Sequence, residues 1–97
     1  MTITTDTHTI RARYSIENGI THEISKNGYT IEEIISEMIE FANWMPGLAN
    51  PFEVTSETCT DDGCRVTIEG RYYRVDMDGD YTDETDSMII VIEAWEK

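Results

Sequence analysis

The 97-residue chain has few basic residues: seven Lys and Arg stand against twenty Asp and Glu, which gives a formal net charge of −13. A protein that binds DNA, RNA or an anionic membrane directly needs a positively charged surface to neutralise phosphate groups. The composition therefore argues against all three as direct ligands. It predicts instead a partner protein with a basic surface.

The chain also lacks long apolar runs and the marks of secretion. No stretch approaches the ~20 apolar residues that span a bilayer. The N-terminal segment carries Asp6 where a signal peptide needs Lys or Arg. Two cysteines, Cys59 and Cys64, are too few for a secreted disulfide scaffold. We therefore expect a soluble, cytoplasmic protein with two reduced thiols.

The length suits a single domain over residues 1–97, with 39% hydrophobic residues to form one core. Strand-like and helix-like segments follow one another in the order ββαβββ. This order predicts an α+β fold, in which an antiparallel sheet carries one amphipathic helix on one face. The last segment, 88–95, is apolar on both faces in its first half, which is typical of a central or well-covered strand.

The first hairpin begins with residues 8–16, where apolar and polar side chains alternate as in a half-buried strand. A two-residue turn at 18–19 or a three-residue turn at 17–19 would both suit the sequence. We expect the longer turn, because it pairs Arg13 with Glu23 and keeps one face almost wholly apolar.

A second hairpin is expected from strands at 52–60 and 64–75, with a three-residue turn between them. This register pairs Thr60 with Cys64 and places Cys59 on the opposite face. A disulfide within a hairpin needs two directly opposed cysteines, so the register predicts free thiols. The apolar face of this hairpin would hold Phe52, Val54, Cys64, Val66, Ile68 and Tyr72.

A helix is expected to begin after Thr30 and to end at Pro46-Gly47. Thr30 and Glu33 match a capping box. Apolar residues then recur at helical spacing, at Ile31, Ile34, Ile35, Met38, Ala42 and Met45. At about 100° per residue, a second stripe lies opposite them. We call it the acidic helix stripe, and its residues are Glu33, Glu37, Glu40 and Trp44.

The acidic helix stripe is unfavourable for the helix itself, because like charges four residues apart repel each other. A large aromatic residue beside such charges is typical of an interface anchor. Trp44 has two alternatives at this point: an exposed anchor or a core residue folded under the following loop.

Residues 76–86, here called the acidic hairpin, hold six further carboxylates, at Asp76, Asp78, Asp80, Asp83, Glu84 and Asp86. The first three match the spacing of an EF-hand calcium loop. However, Tyr81 replaces the glycine that such a loop needs at its sixth position, and Ser87 replaces the glutamate at its twelfth. The flanking pattern is that of strands. A calcium-responsive module is therefore only an alternative hypothesis.

No catalytic or cofactor motif is present. The sequence has no Gly-x-Ser-x-Gly elbow, P-loop, dinucleotide fingerprint or His-Glu-x-x-His pattern. Its Cys-x4-Cys pair matches no common zinc spacing, and its carboxylates have no basic or histidine partner nearby in sequence. We expect no enzymatic activity, no cofactor and no metal centre.

The acidic residues fall in two blocks, since residues 27–64 and residues 75–96 each contain eight of them and no Lys or Arg. Solubility requires a net charge of only about 2–8 in a small domain, so the excess favours a role in binding. In composition the chain resembles the small acidic proteins by which phages block restriction or CRISPR effectors through imitation of DNA. It equally resembles immunity proteins and antitoxins that neutralise basic nucleases.

The resemblance implies a non-enzymatic protein that occupies the nucleic-acid-binding site of a basic partner. A phage-type DNA-mimic inhibitor of a host defence effector is the first expectation, and an immunity protein or antitoxin is the alternative. Because both need accessible acidic side chains, the partner is expected to contact the acidic helix stripe first and the acidic hairpin second. The sequence leaves the oligomeric state and the identity of the partner open.

Overall fold

The computed structural model describes residues 3–14, 21–24, 27–60 and 62–97, and for residues 21 and 22 it describes only the backbone. Its elements in chain order are β1 (His8–Tyr14), β2 (Thr21–Glu23), α1 (Ile31–Trp44), β3 (Leu48–Thr60), β4 (Gly63–Val75) and β5 (Tyr81–Glu96). The predicted α+β class, with one helix and an antiparallel sheet, is confirmed. The turn at 17–19 lies outside the described residues.

The strands form one antiparallel sheet in the order β2-β1-β5-β4-β3. β5 lies in the centre, which agrees with the apolar character of its residues on both faces. Strands β3 and β4 have 13 residues each and β5 has 16, whereas β1 has 7. The β4–β5 hairpin therefore projects beyond the rest of the sheet, and the molecule measures 47 × 22 × 22 Å.

The hydrophobic core lies between one face of the sheet and α1. The sheet contributes Ile10, Ala12, Phe52, Cys64, Val66, Ile68, Ile90, Ile92 and Ala94, all buried. Ile31, Ile34 and Ala42 of α1 belong to the same cluster. No helix among the described residues has both the length and the apolar character needed to cross a bilayer.

The start of α1 follows the predicted capping box. The Glu33 N–H donates to the Thr30 Oγ1 at 3.2 Å, and the Thr30 N–H donates to the Glu33 Oε1 at 3.3 Å. The helix ends at Trp44, and Gly47 then adopts a φ of 86°, which L side chains rarely adopt. The Pro46-Gly47 pair thus ends the helix as expected.

The register of the first hairpin differs from the predicted one by two residues. Glu23 pairs with Arg11, and Arg13 pairs with Thr21. A shift of two residues leaves every side chain on the same face of the sheet. The apolar pattern is therefore equally well satisfied by both registers, which is why the prediction was wrong.

The predicted register of the second hairpin is wrong by one residue. Thr60 pairs with Gly63, and Cys59 lies opposite Cys64, to which it is joined by a disulfide. The prediction of two free thiols is therefore wrong. Gly63 is the first residue of β4, where it also pairs with Trp95, and a Cβ at this position would collide with the Ala94 carbonyl oxygen.

Irregularities in β3 change the pairing again further along the hairpin. The register with β4 shifts at three places between Leu48 and Ser56. Phe52 is buried on the predicted apolar face. Val54 pairs with the buried Ile68 and so lies on the predicted face as well, but it is 41% exposed at the edge of the sheet.

Reduction of the Cys59–Cys64 disulfide should lower the free energy of unfolding by about 2 kcal/mol and leave the protein folded, because the bond closes a very short loop. The two cysteines are only five positions apart. Urea unfolding with and without a reductant measures the difference, and a Cys59→Ala variant, which should not respond to the reductant, is the control. Complete unfolding on reduction alone would contradict the prediction.

Candidate functional site

The acidic helix stripe lies on the side of α1 that faces away from the sheet. Glu37 and Glu40 are exposed, and Trp44 is 82% exposed. Trp44 is therefore a surface residue, which decides between the two alternatives that the sequence left open. Among the described residues, neither Glu37 nor Glu40 has an ion pair or a side-chain hydrogen bond.

Glu37 and Glu40 also stand where the helix gains nothing from a negative charge. The last turn of α1 contains no basic residue, and neither glutamate lies in the first turn, where the helix dipole would favour a negative charge. Glu37 and Glu40 lie one turn apart and repel each other. The fold therefore makes no use of these two charges, and a partner that binds them would break no contact within the protein.

Glu33 differs from the other two glutamates because it serves the fold. Its Oε1 accepts hydrogen bonds from the N–H and from the hydroxyl of Thr30. Its place in the first turn is one where the helix dipole favours a negative charge. The expectation that its charge weakens the helix is not supported by this position.

Phe41 belongs to the same surface, although it is not among the site residues predicted from the sequence. It is 66% exposed and follows Glu37 by four residues, while Trp44 follows it by three. These spacings place all three on one side of the helix. An open depression on this side is lined by Glu37, Glu40, Phe41, Asn43 and Trp44. Helical spacing from Glu37 was the signal that could have identified Phe41.

We call Glu37, Glu40, Phe41 and Trp44 the acidic-aromatic patch. It combines two carboxylates with two large exposed aromatic rings. An isolated exposed aromatic side chain needs no explanation, but two adjacent ones next to unpaired charges are typical of a protein interface. The patch can hold a basic side chain with its carboxylates while its rings contact the apolar part of that side chain.

The acidic hairpin begins with a tight turn that Asp76 stabilises. The Asp76 Oδ1 accepts hydrogen bonds from the N–H groups of Asp78 and Asp80, both at 2.9 Å. Gly79 has a φ of 87°. In an EF-hand loop the first aspartate binds the ion instead. Among the described residues, no three His, Cys, Asp or Glu side chains are grouped so that they could hold a metal ion.

Two carboxylates of the acidic hairpin are paired with Arg74. Its Nη1 lies 3.1 Å from the Glu84 Oε2, and its Nε lies 2.8 Å from the Asp86 Oδ2. The hydrogen bond from Arg74 lowers the pKa of Asp86. The expectation that the carboxylates of the acidic hairpin have no basic partner is thus wrong for Glu84 and Asp86. Within the described part of the chain, the other four carboxylates of the acidic hairpin have no ion pair, and those of Asp78, Asp80 and Asp83 have no side-chain hydrogen bond either.

The C-terminal end of α1 and the base of the acidic hairpin are in contact. The Tyr73 N–H donates to the Gly47 carbonyl oxygen at 2.9 Å. The Tyr81 ring lies so close to Gly47 that a Cβ there would come within 2.7 Å of its Cε1. The acidic-aromatic patch therefore lies next to the acidic hairpin on the molecule. The sequence had predicted the helix and the hairpin as two separate contacts.

The sheet face opposite α1, here called the open face, holds most of the arginines. Cross-strand pairing places four of the five arginines on it, together with four glutamates: Arg11, Arg13, Arg65, Arg71, Glu23, Glu53, Glu69 and Glu93. Most of the arginines are thus gathered on one face of the sheet. The charges of these eight residues cancel, so this set contributes nothing to the net charge of −13.

Comparison of the chain with models of protein families, with curated proteins and with solved structures finds no match. The candidate site therefore rests on the charge and geometry of this chain alone.

Proposed function

We propose that this chain is a non-enzymatic binding protein whose acidic surface occupies the nucleic-acid-binding site of a basic partner protein. The observation that carries the proposal is the exposed acidic-aromatic patch and its continuation into the acidic hairpin. Carboxylates without partners are costly to bring together, and these are not required by the fold. When a basic partner binds, its positive side chains would attract these carboxylates and reduce the repulsion between them.

The spacing of charge supports imitation of a nucleic acid. A net charge of −13 over a length of 47 Å is about one charge per 3.6 Å, close to the roughly 3.4 Å of helix axis per phosphate of one DNA strand. A basic cleft that binds phosphates at such intervals would meet carboxylates at comparable intervals. The open face, whose charges are balanced, would point away from the partner.

The aromatic residues would supply the part of the binding energy that charge does not. Phe41 and Trp44 together expose most of their ring surface. Contacts that bury such rings slow the dissociation of a complex, whereas the surrounding charges mainly increase its rate of formation. A basic site that normally stacks bases on aromatic or arginine side chains would accept these rings.

The most specific form of the proposal is a phage-type DNA-mimic inhibitor of a CRISPR or restriction effector, acting in the host cytoplasm. An immunity protein for a basic nuclease would use the same surface. The cytoplasm is reducing, and structural disulfides are rare there. The proposal therefore requires that the protein stays folded and binds its partner after reduction of Cys59–Cys64.

The proposal predicts a strong dependence of association on salt. Between low and physiological ionic strength, we expect the rate of association with the partner to fall about tenfold or more, while the rate of dissociation changes little. Surface plasmon resonance at several salt concentrations measures both rates. An association rate that is independent of salt would contradict the proposal and indicate an apolar interface.

The chain itself should bind no nucleic acid. The arginines of the open face each have a glutamate in a neighbouring strand or row, so the face has no net positive charge to neutralise phosphates. A gel shift with double-stranded DNA, single-stranded DNA and RNA at low salt should show free nucleic acid at every protein concentration. A tight complex with any of the three would exclude the proposed function.

A further inference from the structure

The open face is a sheet surface that no described element covers. Val91 lies half-buried on the central strand, and Trp95 is 38% exposed beside the Arg11 guanidinium, which lies 4.9 Å from the ring centroid. None of these residues belongs to the hydrophobic core cluster. A sheet with apolar residues on both faces of its central strand is normally packed between two layers.

Charges of opposite sign alternate across this face in one row. Glu23 of β2 pairs with Arg11 of β1, Arg11 pairs with Glu93 of β5, and Glu93 pairs with Arg65 of β4. The row therefore reads minus, plus, minus, plus. Read in the opposite direction it becomes plus, minus, plus, minus, so the row is complementary to its own reverse.

We propose that the open face binds the open face of a second copy of this chain, around a two-fold axis that runs parallel to the strands between β1 and β5. This axis reverses the row. Arg11 then faces Glu93 of the second copy, and Glu23 faces Arg65 of the second copy. Each pair occurs twice, as two-fold symmetry requires.

The orientation of the two copies follows from the charges. A two-fold axis along the row would place each charge opposite itself and would be repulsive. The axis parallel to the strands also places Val91 opposite Arg13 of the second copy, whose aliphatic part can cover it. Two sheets that pack face to face with nearly aligned strands are a common arrangement in proteins.

A second copy suits the open face better than a different protein does. A basic partner would be attracted to the carboxylates without ion pairs on the helix side rather than to this face, where the paired rows hold arginines and glutamates in equal number. The balanced, alternating row selects a surface with the same pattern, and a second copy supplies one.

The size of the face sets the expected strength of the dimer. Five strands about 4.8 Å apart, over the seven-residue length of β1, give a surface of roughly 19 by 24 Å, of which the three-residue β2 fills only part. This is about half the area that each partner contributes to a standard stable interface. We therefore expect a reversible dimer with a dissociation constant of about 10–100 µM.

The test uses charge reversal at Glu23 and Arg65, which contact each other only between copies. Within one copy they are three strands apart, about 14 Å. Sedimentation equilibrium should show a monomer–dimer equilibrium for the unmodified protein, and Arg65→Glu or Glu23→Arg should each raise the dissociation constant at least tenfold. An equimolar mixture of the two variants should form a heterodimer as tight as the unmodified dimer, because opposite charges then meet again.

Control measurements separate this proposal from the proposed function. Thermal unfolding shows that each variant is folded, and Glu37→Gln, which lies on the opposite side of the molecule, should leave the dimer unchanged. A protein that stays monomeric at millimolar concentration would overturn the proposal. So would a dimer that neither reversal weakens, or a mixture of the two variants that stays monomeric. None of these results would affect binding of a basic partner to the helix side.

Discussion

The variant Glu37→Gln/Glu40→Gln/Trp44→Ala should bind the basic partner at least about 100-fold more weakly than the unmodified protein. Loss of two charges should slow association by about tenfold, since electrostatic steering contributes factors of 10 to 1,000. Loss of the Trp44 ring should speed dissociation by a further factor of about ten or more. Glu33 is kept because it belongs to the capping box.

The stability of this variant should remain within about 1 kcal/mol of the unmodified protein, since all three side chains are exposed. The matched control is Asp6→Asn/Glu53→Gln, which removes the same number of charges from exposed positions outside the patch. Surface plasmon resonance should show nearly unchanged affinity for this control. An equal loss of affinity in both variants would mean that only net charge matters, whereas unchanged affinity of the patch variant would make the acidic hairpin the leading candidate.

Replacement of Phe52 by Ala should lower the free energy of unfolding by about 3–5 kcal/mol, the largest effect on stability that we expect. Phe52 is 2% exposed, and its ring lies on Gly70, where a Cβ would collide with it. Its ring centroid is 5.3 Å from that of Tyr72, whose hydroxyl donates to the Ala42 carbonyl oxygen at 2.9 Å. Phe52 thus joins two strands to the C-terminal part of α1.

Urea unfolding followed by circular dichroism measures this loss. Val54→Ala is the matched control, because Val54 lies in the same strand but is 41% exposed. Its effect should stay below about 1 kcal/mol. A loss of less than about 1 kcal/mol for Phe52→Ala would show that the helix is not held to the sheet by this contact.

The helix was predictable from the sequence because its signals are local. Thr30 and Glu33 are three positions apart, so the capping box is visible without knowledge of the fold. The exposure of Trp44 was not predictable in the same way. It depends on the direction in which the chain leaves α1 through residues 45–47, and the contact of Gly47 with Tyr81 links positions that are far apart in the sequence.

Strand registers were the least predictable feature, for two different physical reasons. In the first hairpin, two registers that differ by two residues bury the same side chains, so the pattern could not separate them. In the second, pairing of Cys59 with Cys64 shifts the register by one residue near the turn, and bulges in β3 change it again further along the hairpin. A single uniform register, as assumed in the prediction, cannot describe both ends of this hairpin.

The separation of charge between the two sides of the molecule follows from the strand order. Arg11 and Arg65 are far apart in the sequence, and they share one row only because β5 lies between β1 and β4. The two acidic blocks, by contrast, are visible in the sequence. The sequence therefore indicated that the protein is an acidic binder, but not that one of its faces is electrically balanced.

Capture of proteins from a host-cell lysate at low salt tests the central claim most directly. The immobilised baits are the unmodified chain, the Glu37→Gln/Glu40→Gln/Trp44→Ala variant and the Asp6→Asn/Glu53→Gln control. We predict that mass spectrometry identifies a basic nucleic-acid-binding protein on the first and third baits but not on the second, and that added duplex DNA releases it. A protein held equally by all three baits, or one that DNA does not release, would contradict the claim that the acidic surface replaces a nucleic acid.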